Sequence, residues 1–156
     1  MNSIMGILVK LFNPFNSKEE ITGKEIEEKL SELKKETKDG VIDLTPKMDI
    51  VIMDRKYRLI KEKEIFNFLK LDLLDLKFYS ADYNDCDDYA IRLFGRIKEK
   101  AKGLAFGFII SDSHAYNMFI NENKEVKFLE PQSDKIYTLK QIKSKRNYYP
   151  IKLILM

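Results

Sequence analysis

A single cysteine, Cys86, and a single histidine, His114, stand in a chain of 156 residues. A lone cysteine cannot close an internal disulfide, and Cys/His zinc patterns need three or four ligands. The chain must therefore hold together by burial of its core, as cytosolic proteins do, and a cytoplasmic location is expected. Apolar residues make up 44% of the sequence and recur along nearly all of it, which argues against disorder. The length suits one core. Residues 17–156 are expected to form a single domain, preceded by an N-terminal segment over residues 1–16. In that segment Ile4, Met5, Leu8, Val9 and Phe12 recur at helical spacing and predict a short docked helix. No stretch reaches the roughly 20 apolar residues of a membrane-crossing helix, so no transmembrane segment is expected.

Charge excludes less. The 28 basic and 25 acidic residues leave a net charge of +3, so no specific nucleic-acid binding is expected. The imbalance is local: after Asp134 the chain carries Lys and Arg but no acid. A solvated face beside a C-terminal strand is the expected reading, ahead of contact with nucleic acid or a membrane.

Thr22 followed by Glu25 reads as a capping box, opening a helix whose apolar stripe is Ile26, Leu30 and Leu33 and whose end falls near Asp39-Gly40. Short strands are expected over Val41–Leu44 and Asp49–Met53, around Pro46. A second helix is expected from about Lys61 to Leu71, burying Ile65, Phe66, Phe68 and Leu69. Further on, Cys86, Tyr89, Ala90, Leu93, Phe94 and Ile97 define one face of a third helix. Asp87 and Asp88 suit its positive start, and Arg96, Lys98 and Lys100 its negative end. Strand-like runs follow over Leu104–Ile110, His114–Ile120 and Glu125–Glu130, with Lys135–Leu139 and Tyr148–Leu155 as further candidates. The order predicts an α+β fold.

The chemistry-bearing residues cluster at element ends. Cys86 sits at a helix start, where unpaired N–H groups favour a thiolate. Asp85, Asp87 and Asp88 oppose that charge, so a thiolate there needs a cationic partner. His114, at the start of a strand, is the one imidazole available. A third group must orient such a ring, and Asn117 and Glu130 are the candidates. Alternation puts His114, Tyr116, Met118 and Ile120 on one face and Asn117 on the other. A three-residue loop Asn121-Glu122-Asn123, with Asn123 left-handed, would pair His114 directly with Glu130. A loop one residue longer would send Glu130 to the opposite face. Glu130 is preferred, with Gln132 a nearby hydrogen-bonding candidate.

Three strings in order, DCDDYA at Asp85–Ala90, HAYN at His114–Asn117 and LEPQ at Leu129–Gln132, resemble a group within the papain-like cysteine peptidases. That group is the C-terminal protease domain of the fairy-ring mushroom agglutinin with its bacterial and viral relatives. The DCDDYA string is also similar to the cysteine motif of bacterial transglutaminase-like peptidases. The resemblance covers roughly Tyr57–Tyr137, with a weaker match at the DRKY segment, Asp54–Tyr57. It implies a papain-like (cysteine proteinase) fold, with N-terminal helices and the Cys-bearing helix packed on an antiparallel sheet. It also implies a thiol protease or related acyl transferase, a cysteine peptidase acting on a peptide or protein substrate with a Cys86–His114–Glu130 triad. The mushroom protein's sugar-binding β-trefoil domain has no counterpart here, so lectin activity is not implied. Papain's upstream oxyanion-hole Gln is also missing, leaving the Cys86 N–H with Ser80, Tyr83 or Asn84 as candidate donors. No cofactor is required for that chemistry. Calcium follows from the resemblance alone, with Asp85, Asp87 and Asp88 as weak candidate ligands. Two alternatives stand beside the hydrolase: a catalytically silent papain-like binding module, favoured by the acids around Cys86, and a calcium-binding structural protein.

Overall fold

The computed structural model describes residues 13–34, 36–38, 41–43, 48–76, 78–81 and 83–156. The expected N-terminal helix, Asp39-Gly40, Leu44 and Pro46 lie outside them. Strand β1 (Glu20–Thr22) runs into helix α1 (Gly23–Ser31). Thr22 Oγ1 accepts the Glu25 N–H at 3.2 Å, and Glu25 Oε2 accepts the Thr22 N–H at 2.8 Å, which makes the capping box. The helix stops earlier than its apolar stripe suggests. A 3-10 turn over Glu32–Lys34 carries buried Leu33, and strands β2 (Glu36–Lys38) and β3 (Val41–Asp43) pair antiparallel beyond it.

Strands β4 (Asp49–Val51) and β5 (Lys56–Arg58) lead to helix α2 (Glu62–Asp72). Ile65, Phe68 and Leu69 are buried there, but Phe66 is 44% exposed, against expectation, because it lies off the inward stripe. Helix α3 (Cys86–Lys100) follows and buries Tyr89, Ala90, Leu93 and Ile97. Gly103 comes after it at φ +69, with open space where a Cβ would stand, so backbone conformation and not room favours glycine.

The remaining strands are β6 (Phe106–Ser111), β7 (Ala115–Ile120), β8 (Val126–Glu130), β9 (Lys135–Tyr137) and β10 (Ile151–Leu155), with helix α4 (Leu139–Lys143) before the last. They form a six-stranded sheet in the order β4-β10-β6-β7-β8-β9. Alternation sorts its central side chains. Phe106, Phe119 and Leu129 pack with Tyr89, Leu93 and Ile97 of α3. Ile109, Tyr116, Met118 and Phe128 face the other way, into a cluster with Ile26, Leu30 and Tyr57. Each such large apolar side chain contributes roughly 1.5–3 kcal/mol by leaving water.

Two expectations about architecture are corrected here. The sheet is mixed and not antiparallel throughout, since β4 joins β10 in parallel (Asp49 opposite Leu153). The papain-like arrangement gives way to a fold centred on the six-stranded sheet, with four α-helices among the described residues. The motifs that suggested it are short strings, which specify a helix start and two strand ends. Long-range pairings such as Asp49 with Leu153 decide the architecture, and no local string encodes them.

Candidate ligand site

His114 stands where β6 turns into β7, and Ser111 holds it there. The Ser111 Oγ accepts the His114 N–H at 3.1 Å, and the Ser111 N–H donates to the His114 carbonyl at 2.9 Å. The imidazole Nε2 lies 2.6 Å from Glu130 Oε2, with the two side chains 13% and 6% exposed. Their meeting depends on hairpin register. Ile120 pairs with Val126, Met118 with Phe128 and Asn117 with Leu129, so the loop is 121–125 and not the expected Asn121–Asn123. Lys124, at φ 58, takes the left-handed position expected for Asn123. The register slides by an even step, and with a side-chain period of two that keeps Glu130 on the His114 side of the sheet.

Tyr148, from the segment before β10, completes this group. Its hydroxyl donates to Glu130 Oε2, and its ring centroid lies 4.5 Å from that of His114. Tyr116 stacks on the imidazole at 5.8 Å with an 18° interplanar angle. The Gln132 N–H donates to Glu130 Oε1 at 3.1 Å; this contact uses the backbone, not the side chain. Burial pushes the Glu130 carboxyl up, but the bonds from His114, Tyr148 and the Gln132 N–H outweigh it and hold the group below its ordinary range. Burial also raises the Tyr148 hydroxyl, as does its bond to Glu130, so it stays a donor. Sequence reasoning missed Tyr148. Alternation had placed Tyr116 on the right face, but nothing along the chain links Tyr148 to Glu130.

Cys86 opens α3 on the other side of β7, half-buried beside Ala90, Phe108 and Ala115. The Ala115 N–H, next in the chain after His114, donates to its sulfur. Burial pushes the thiol up, and the Asp85 and Asp87 carboxylates push the same way. The Ala115 and Asp87 N–H groups oppose this without reversing it. Asp87 in turn is raised, chiefly by a hydrogen bond with Asp85. Among the described residues Glu130, not Cys86, is the hydrogen-bonded partner of the imidazole.

The other candidates are placed elsewhere. Asn117 is fully buried on the α3 side of the sheet, where its Nδ2 donates to the Ala90 carbonyl at 3.0 Å and the Gly107 carbonyl at 3.2 Å. It fastens the helix to the sheet and does not orient His114. Ser80 and Asn84 close a tight turn through paired backbone bonds of 3.0 and 2.8 Å. The Asn84 side chain donates to the Phe78 carbonyl and accepts from Arg92, so it is committed to the turn. Tyr83 is 85% exposed. Asp88 faces Arg92 at 3.4 Å, one turn on. Asp85, Cys86 and Asp87 bring one ligand atom each within 4.8 Å of one another. Calcium takes six to eight hard oxygen ligands. Two carboxyls that share a hydrogen bond and a sulfur do not fit it.

No protein-family model and no curated protein matches the chain. Solved structures do. One is titled a PSL1a–E64 complex, at 20% identity and TM-score 0.66, with 88% of this chain covering 50% of that one. A second is Polyporus squamosus lectin bound to the epitope Neu5Acα2-6Galβ1-4GlcNAc, at 20% identity and TM-score 0.58, with 88% of this chain covering 49% of that one. The likeness is one of fold. The chain spans about half the length of the structures it matches. At this identity the likeness concerns the fold, and it corrects the papain-like recognition drawn from the motifs. The hydrolase, cysteine-peptidase and transglutaminase-like expectations go with that recognition. Of the two alternatives the binding module is the nearer, and the calcium-binding structural protein is not supported. No helix among the described residues is long and apolar enough to cross a membrane.

Proposed function

We propose that the chain is a binding module whose ligand face lies around Cys86, His114 and Glu130. The observation that carries this reading is the setting of Cys86: it is half-buried beside Asp85 and Asp87, and among the described residues the imidazole is bonded to Glu130 instead. A thiol raised by burial and by two neighbouring carboxylates is neutral near pH 7 and offers a weak hydrogen bond, not a nucleophile. The Asn84 side chain, a candidate donor for stabilising an oxyanion, is spent on its own turn. Alkylation of Cys86 across pH tests the reading. Reactivity should rise with a midpoint above the free-cysteine value of about 8.5. A reactive plateau that extends below neutral pH and vanishes in His114→Ala would overturn it.

Carbohydrate is the ligand class this face suits. Phe78 and Tyr83 are 93% and 85% exposed on the turn ahead of α3, and Asn84 and Arg92 pin that turn. Exposed rings on a hydrogen-bonded turn can stack on the apolar face of a sugar. The lectin title of a structural neighbour supports the same class. Calorimetry with the neutral disaccharide Galβ1-4GlcNAc should give saturable binding. Binding should weaken roughly tenfold in Phe78→Ala/Tyr83→Ala, the loss of two stacking contacts. Unchanged affinity in that double variant would remove the aromatic turn from the ligand face.

A further inference from the structure

The end of α2 breaks a local rule. Asp72 closes the helix at its negative end, where a cation is favoured and an acid costs stability. Asp75 follows in the next turn, and Asp134, in the turn between β8 and β9, stands close enough for both to act on it. Burial and those two carboxylates push the Asp134 carboxyl up to about 6, and no cation among the described residues offsets them. The Asp72 side chain is 8% exposed. Arg96 donates to its Oδ1 at 2.9 Å, while its Oδ2 is buried without a hydrogen-bond partner. A buried carboxylate oxygen left in that state is costly, and a cation is the neighbour it lacks. Among the described residues Arg96 is the one cation paired with these acids. Leucines surround them, in the string LDLLDL over Leu71–Leu76. Leu71, Leu73 and Leu76 are 64%, 55% and 72% exposed, and the Leu76 N–H donates to the Leu73 carbonyl at 3.4 Å. Single exposed leucines are ordinary, but a run of them set among under-compensated acids marks an interaction surface.

We propose that this corner, between the end of α2 and the β8–β9 turn, docks a basic, apolar segment of a partner protein, whose lysine or arginine meets Asp75 and Asp134 while its apolar side chains cover Leu73 and Leu76. Charge complementarity selects that occupant. A partner ammonium or guanidinium forms charge-assisted hydrogen bonds and relieves the repulsion among the three carboxylates. An acidic segment would add to that repulsion. A purely apolar one would cover the leucines but strip water from carboxylates it cannot pair. A second copy of this chain fits no better, because a two-fold contact through the same patch sets carboxylates against carboxylates.

The test uses the full chain and three short fluorescent peptides of one pattern, built from leucine with lysine, with glutamine or with glutamate. Fluorescence anisotropy should show saturable binding of the leucine–lysine peptide, roughly tenfold weaker binding of the glutamine version and none of the glutamate version. The preference for lysine should shrink as salt screens it. Asp75→Asn/Asp134→Asn removes like charges, so it keeps the fold, and it should bind the lysine peptide no better than the glutamine one. Leu73→Asn/Leu76→Ser, at two exposed positions, should weaken both peptides. Equal affinity for the lysine and glutamine peptides, a preference that survives Asp75→Asn/Asp134→Asn, or no binding at all would overturn the proposal. Sedimentation of the chain alone covers the remaining occupant: a dimer that Leu73→Asn/Leu76→Ser dissociates would assign the surface to a second copy and overturn the proposal as well.

Discussion

Replacing Glu130 with alanine is expected to lower the unfolding free energy by about 3–5 kcal/mol at neutral pH, the range for removing one partner of a buried charged contact. Glu130 is 5% exposed, and its carboxylate is the meeting point for the His114 ring, the Tyr148 hydroxyl and the Gln132 N–H. Alanine leaves the first two without their acceptor at partly buried positions and opens space beside Tyr116. The loss should depend on pH, and the sign follows from the depressed carboxyl. A carboxyl held below its unfolded value contributes fully above that value, about 4.3, and its contribution fades as pH falls through the folded value. The gap between wild type and Glu130→Ala should therefore be widest near pH 7 and narrow in acid. Urea unfolding at pH 7 and at about pH 3 measures both. A gap of the same size at the two pH values would mean that lost packing, not the ionised hydrogen bonds, sets the cost.

Leu93→Ala is expected to cost about 2–5 kcal/mol, the range for a large aliphatic residue truncated in a packed core. Leu93 is 0% exposed in the middle of α3, within the cluster that holds the helix against Phe106, Phe119 and Leu129. The same helix supplies its own control. Ile91 is 56% exposed, so Ile91→Ala should change stability by no more than about 0.5 kcal/mol. Denaturant midpoints for the two variants settle the matter. Similar losses at both positions would mean that helix propensity, not burial against the sheet, governs this element. Because α3 carries Cys86 at its first turn, the Leu93 seam also sets how the thiol meets β7.

Much of the secondary structure could be read along the chain because its causes are local. Thr22 and Glu25 satisfy each other's backbone within a single turn, so the start of α1 needs nothing from the rest of the protein. The spacing of Tyr89, Leu93 and Ile97 marks the buried face of α3 for the same reason. Where the cause lies in packing, the local reading slips. Phe66 has the right chemistry for the core yet lies outside it, and α1 gives way to a 3-10 turn before its apolar stripe ends. The functional reading slipped further. Strings around Cys86, His114 and Glu130 suggested a papain-like peptidase, whereas the solved structures alike in fold point away from that recognition, and burial with the Asp85 and Asp87 carboxylates pushes the thiol up. A string identifies which groups are present. It does not report the burial and neighbouring charge that decide whether a cysteine is a nucleophile.

The lone cysteine and histidine determined one thing from the sequence alone: these 156 residues can close no internal disulfide and no zinc centre built from Cys and His alone, so burial must hold them. Periodicity and capping determined where most helices and strands begin. The side-chain alternation of β7 placed His114 and Tyr116 together. Only the tertiary structure decided that β4 joins β10 in parallel, that the loop 121–125 brings Glu130 to His114, and that Tyr148 joins them. The reason is physical. Hydrogen bonds within a turn and alternation along a strand act over a few residues, so the chain displays them. Pairings between distant segments are chosen by the summed burial of the whole core, and that sum exists only once the core is formed.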